Sequence, residues 1–138
     1  MILVENPQLT HADYQKIATL FELVEWGKRD PLEIQSAFEK SSFTCIAYSN
    51  QEMIGFGRTF DDGRYYATLC DVVIAPSHQG QGIGKFIVAN LEKRLKGFEF
   101  ITLTAAPGKG AFYEKIGWKK QTSAYISPTS DKQAKEHS

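Results

Sequence analysis

Gln79-Gly80-Gln81-Gly82-Ile83-Gly84-Lys85 sets three glycines in alternation between a β-prone apolar run ending at Ile74 and the clearest helical pattern in the chain. In that pattern Ile83, Ile87, Leu91 and Leu95 recur four apart, Phe86 and Val88 widen the stripe, and Lys93, Arg94 and Lys96 gather before Gly97. A strand therefore runs through a bare turn into a helix whose first amides have no intrahelical partner. Such a turn can hold a phosphate: glycines permit positive φ and close approach, and the helix start adds about half a positive charge. A tight connection needing glycine only for its geometry is the alternative. Three glycines at a helix start cost up to ~1 kcal/mol each relative to alanine, which a ligand requiring bare backbone explains better.

Two common nucleotide loops are excluded by spacing. Only Gln81, Gly82 and Ile83 separate Gly80 from Gly84-Lys85, and Phe86 follows, which is too short for a Walker A loop and lacks its hydroxyl residue. The third glycine also comes one residue early for a dinucleotide fingerprint, after hairpin strands rather than within a parallel βαβ unit.

The preceding segments order themselves by period and punctuation. Ile2 to Val4 is β-prone; Thr10 caps a helix with Tyr14, Ile17, Ala18, Phe21 and Val24 on one face; Asp30-Pro31 opens a second helix through Ile34 and Phe38. Phe43 to Tyr48, Met53 to Phe60 and Tyr65 to Ile74 read as three antiparallel strands joined by hairpin connections. After the long helix, Phe98 to Thr104 returns to strand character, Lys109 to Ile116 suits a short helix, and Trp118 to Ile126 reads as a final strand. The expectation is one α+β domain over residues 1–126, a mixed and mostly antiparallel central sheet flanked by helices, followed by a frayed polar tail over 127–138.

With 138 residues and 42% apolar side chains, one core suffices. Sixteen basic residues balance sixteen acidic ones, so no field covers the molecule for a nucleic acid to exploit. No apolar run approaches the ~18 residues needed to span a bilayer, and the first residues include a charge and a proline; neither a membrane partner nor a targeting segment is expected. Cys45 and Cys70 fall in strand-like runs without metal or disulfide spacing, and His11, His78 and His137 are scattered, so no metal is expected and a reducing, cytoplasmic setting fits.

Gln79-x-x-Gly82-x-Gly84, preceded by Val72-Val73-Ile74-Ala75-Pro76, resembles the acyl-CoA-binding motif of the GNAT N-acyltransferase superfamily. Phe112-Tyr113-Glu114-Lys115-Ile116-Gly117-Trp118 resembles a later motif of the same superfamily, and the element order agrees from residue 2 to about residue 126. Within it, Val24 to Arg29 and Leu69 to Val72 are most similar to small bacterial acetyltransferases and plant plastid enzymes of the arylalkylamine/serotonin type.

The resemblance implies acetyl-CoA as co-substrate. Its pyrophosphate would lie on the amides of Gln79, Gly80, Gln81, Gly82, Ile83, Gly84 and Lys85, and its pantetheine arm beside Val72, Val73 and Ile74 like an added strand. A backbone N-H near Val72 or Val73 would stabilise the oxyanion formed when a primary amine attacks. Lys85 either reaches a phosphate or is solvated. Tyr113 is the candidate acid for the departing thiolate, against the plainer reading of a half-buried packing residue. The corresponding positions for the superfamily's usual base are Thr68 and Cys70, neither suited to it. Asp71, the nearest carboxylate, is either catalytic or structural, and strand alternation points it away from Cys70 unless a bulge shifts the register.

The acceptor, a small-molecule or peptide amine, is expected against the N-terminal helices, where Phe21, Trp26 and Tyr14 either supply apolar walls or belong to the core, and where Glu22 and Glu25 are more simply solvated. A homodimer is left open. The rival to an enzyme is a non-catalytic acyl-CoA sensor or interaction module that keeps the glycine turn.

Overall fold

The computed structural model describes residues 1–138, and Thr10 and Asp30 begin its helices as the sequence predicts. Strand β1 (Ile2–Glu5) leads to helix α1 (His11–Leu23), which Thr10 caps: its hydroxyl accepts from Asp13 N at 3.2 Å while its own amide donates to Asp13 Oδ2 at 2.7 Å. Helix α2 (Pro31–Glu39) has Pro31 at its first position and Asp30 Oδ1 accepting from Leu32 N at 2.9 Å. Then come β2 (Phe43–Ser49), β3 (Glu52–Asp61), β4 (Tyr66–Ile74), a single turn of 3-10 helix at Pro76–His78, α3 (Ile83–Arg94), β5 (Phe100–Leu103), α4 (Gly110–Lys115) and α5 (Asp131–His137).

Residues Met1–Leu103 and Thr104–Ser138 form two compact units. The first holds the whole sheet, in order β1-β2-β3-β4-β5, antiparallel throughout except for the parallel β4–β5 pair. This is the expected α+β architecture. Strand alternation sends Ile46, Phe56 and Val73 to one face, where they meet Tyr14, Ile17, Leu20 and Phe21 of α1 and Ile34 and Phe38 of α2. The opposite face takes α3 through Ile87 and Leu91, both fully buried. There Gly55 and Gly57 leave the sheet without side chains: a Cβ at Gly57 would lie 2.9 Å from both Ile87 and Leu91, so the missing methyl groups let the helix sit close.

The second unit departs from expectation. Residues 118–126 form no strand, and Tyr125 is 97% exposed. Aromatic and β-branched residues favour a strand only when a partner supplies a ladder and a surface to pack on, and this segment has none. The polar tail carries α5, whose start is capped by Ser130 Oγ accepting from Gln133 N at 3.0 Å.

Candidate active site

Beyond Ile74 the glycine turn is built from backbone. Gln79 Nε2 reaches back to Ile74 O at 3.1 Å, Gly80 and Gly82 adopt φ of 78° and 84°, and Gly82 occupies the cap of α3 with no side chain to fill it. The amide of Gln79 bonds Pro76 O at 3.4 Å, and the next to find a backbone acceptor is that of Phe86, to Gly82 O at 3.1 Å. The intervening amides, Gly80 through Lys85, have no protein acceptor, and a Cβ at Gly80 would meet nothing within 4 Å. Unpaired donors on open backbone at the start of a twelve-residue helix are the composition of an anion cradle. Within it the Ile83 side chain is buried and contributes only its amide, whereas Gln81 and Lys85 are exposed and Lys85 forms no ion pair.

The turn continues an open strand edge. Strand β5 pairs only with Tyr66 to Leu69 of β4, so Cys70 to Ile74 have no strand on that side. On the β3 side the register jumps: Phe56 pairs with Val73 and Arg58 with Cys70, which sets Asp71 and Val72 together against Gly57. Asp71, at φ 55°, is the kink of this bulge. Cys70 and Asp71 consequently face the same side, toward α1 and α2, while Val72 turns toward α3 and Val73 returns to the core at 2% exposure.

The bulge also fixes its side chains. Asp71 Oδ2 accepts from Arg58 Nε at 2.7 Å, and Asp71 Oδ1 lies 3.9 Å from Arg29 Nη1. Arg58 reaches Ser41 Oγ at 3.4 Å and lies over the Phe38 ring, 5.7 Å from its centroid. Burial pushes the Cys70 thiol up to about 11, which keeps it protonated and weak as a nucleophile at neutral pH. Thr68 spends its hydroxyl on Thr102 O at 3.1 Å.

Of the aromatics weighed as acceptor walls or as core, Phe21 and Tyr14 belong to the core. Phe21 is fully buried against Phe56 and Tyr14 against Phe38, because the α1 stripe that carries them faces the sheet. Trp26 is half-buried, tilted against Phe21 at 5.6 Å. Tyr113 lies in the second unit on α4, partly buried between Phe112 at 5.0 Å and Trp118 at 6.3 Å, with its phenol pushed up by burial. The two arginines at the bulge carry the part that sequence reasoning missed. Arg58 has a signal in hindsight: a long cation in the middle of Gly55-Phe56-Gly57-Arg58-Thr59-Phe60 demands a buried acceptor.

The family model described as Acetyltransferase (GNAT) domain matches residues 9–127. The chain belongs to the GNAT acetyltransferase family. Relatives of this GNAT chain include the uncharacterized N-acetyltransferase ycf52 of Pyropia yezoensis, 34% identical over 111 residues that cover 76% of the chain and 64% of the relative. The chloroplastic serotonin N-acetyltransferase 2 of Oryza sativa is 30% identical, covering 79% and 58%. The chain thus spans less than two thirds of either relative's length. Among solved structures, a probable acetyltransferase, SA2161, from meticillin-resistant Staphylococcus aureus superposes with a TM-score of 0.75 at 18% identity, covering 92% of this chain and all of that one, a likeness of fold.

Proposed function

We propose that this GNAT chain transfers the acetyl group of acetyl-CoA to a primary amine by direct attack within a ternary complex. The observation that carries this reading is the continuity of two surfaces, the unpaired amides of Gly80 to Lys85 and the edge of β4 from Cys70 to Ile74 that no strand covers. The first suits a pyrophosphate held by helix-start amides. The second suits a pantetheine amide chain laid down as an extra strand, with a backbone N-H at Val72 or Val73 available to a carbonyl oxygen that gains charge.

Tyr113 is the proton donor in this reading. A phenol raised by burial stays protonated through neutral pH, as an acid serving a departing thiolate must. The amine's own proton leaves to water, because neither side chain beside the bulge suits a base: the Cys70 thiol holds its proton and Asp71 is committed to Arg58. Asp71 fixes the strand kink.

Two variants separate binding from chemistry. Gly82→Glu puts a carboxylate where the pyrophosphate would lie and is expected to abolish acetyl-CoA binding in calorimetry while the protein stays folded. Tyr113→Phe should keep the affinity and lower thiol release by about 10² to 10⁴. Unchanged binding in a folded Gly82→Glu protein overturns the cradle; acetyl-CoA binding without thiol release across a broad amine panel reduces the chain to a sensor.

A further inference from the structure

Arg29 sits on the connection between α1 and α2, whose course is set by left-handed residues at Glu25 (φ 64°) and Gly27 (φ 97°). Its guanidinium carbon is 4.1 Å from the centroid of Phe21 and 5.9 Å from that of Trp26. Two aromatic rings thus hold the group in place, yet the side chain remains 41% exposed. None of its five N-H donors has a protein acceptor; its one carboxylate neighbour within 4.0 Å is Asp71, at 3.9 Å, beyond hydrogen-bonding reach.

Arg58 has taken that carboxylate at 2.7 Å, so two guanidinium groups share one negative charge and the surplus positive charge rests on Arg29. Glu22 near the end of α1 and Glu25 on the connection form no ion pair with it, and Asp30 Oδ1 is used to cap α2. A preorganised, partly desolvated arginine with its donors unspent is built for a bidentate oxyanion, since the stacking has already removed much of the rotamer freedom that binding would otherwise cost. Its location gives the group a use. Asp71 directly precedes Val72 on the open edge of β4, which places Arg29 beside the end where an acceptor amine would meet the thioester.

We infer that Arg29 is an anion-binding group of the acceptor pocket, and that it selects a primary amine bearing a carboxylate or phosphate on a short spacer. This rests on the acetyl-transfer reading for its meaning but not for its test. An aromatic amine without an anion would leave the Arg29 donors unmatched and bring its own ammonium toward a guanidinium.

Calorimetry on the CoA-saturated protein with matched amines tests it: O-phosphoethanolamine against ethanolamine, and β-alanine against propylamine. The anionic member should bind about 10- to 100-fold more tightly, Arg29→Gln should bring that ratio near one with the affinity for CoA unchanged, and Arg29→Lys should restore part of it. Equal affinity for the two members in the wild type, or a preference that survives Arg29→Gln, overturns the inference. Thiol release from acetyl-CoA, measured alongside, keeps the two ideas apart. An anion preference in binding with no release sinks acetyl transfer alone, whereas release confined to uncharged or polycationic amines sinks the anion site alone.

Discussion

At the bulge of β4 two consecutive side chains, Cys70 and Asp71, leave the strand on one face, and the carboxylate of the second closes on Arg58 with both groups mostly out of solvent. A neutral isostere should therefore be costly to the fold and silent in the proton chemistry. Asp71→Asn is expected to lower stability by about 1 to 3 kcal/mol in urea unfolding, as when a charge-assisted bond is weakened and a buried charge loses its partner. The pH-rate profile of the folded fraction should keep its shape. A displaced acidic limb at full stability would return Asp71 to the catalytic role. Strand alternation alone sends Asp71 away from Cys70, and the sequence offers no turn residue to announce the extra one; the bulge arises from the fit of β4 to β3 around Gly57. Asp71 itself was legible as the nearest carboxylate to the turn, but not its partner, because Arg58 lies thirteen residues earlier on a neighbouring strand.

Elements were read best where their ends are marked by local chemistry. Thr10, Asp30-Pro31 and Gly82 mark the starts of α1, α2 and α3, and each helix begins there because cap and first-turn preferences do not depend on distant packing. Residues 118–126 show the reverse, since strand formation needs a neighbour that composition does not reveal. Gly55 and Gly57 weaken a strand taken alone, yet here their missing side chains are what lets α3 lie close against the sheet. Gly57→Val forces atoms into Ile87 and Leu91 and is expected to destabilise by about 1 to 3 kcal/mol, shown by a lower urea midpoint, and to weaken acetyl-CoA binding as α3 shifts. A stable variant with wild-type affinity would mean that the close approach of helix and sheet is immaterial.

Across the whole molecule, the formal charge is zero and the acids that burial pushes upward are thiols and phenols, which sets the alkaline pH response. Burial raises Cys45 and Cys70 from 9.0 to about 11 and also raises Tyr14, Tyr48 and Tyr113. The folded chain retains protons that the unfolded chain gives up above pH 9, so stability falls as pH rises from 9 toward 11. Unfolding free energies from urea titrations at pH 7, 9 and 11 should be similar over the first step and drop over the second, by about 1 to 2 kcal/mol per thiol. A Cys45→Ala, Cys70→Ala protein should lose less over that second step, and an unchanged wild-type free energy at pH 11 would contradict these shifts.

The central claim, that acetyl-CoA lies along the β4 edge with its phosphates on the α3 turn, is tested most directly by backbone-amide NMR during titration with CoA. The largest shifts are expected at Gly80 to Lys85 and at Val72 to Ile74, with slowed amide exchange in the turn. Shifts confined to another surface, such as the pocket of about 500 Å³ between Asn6, Gln35 and Thr44, with the glycine amides unmoved, would contradict it.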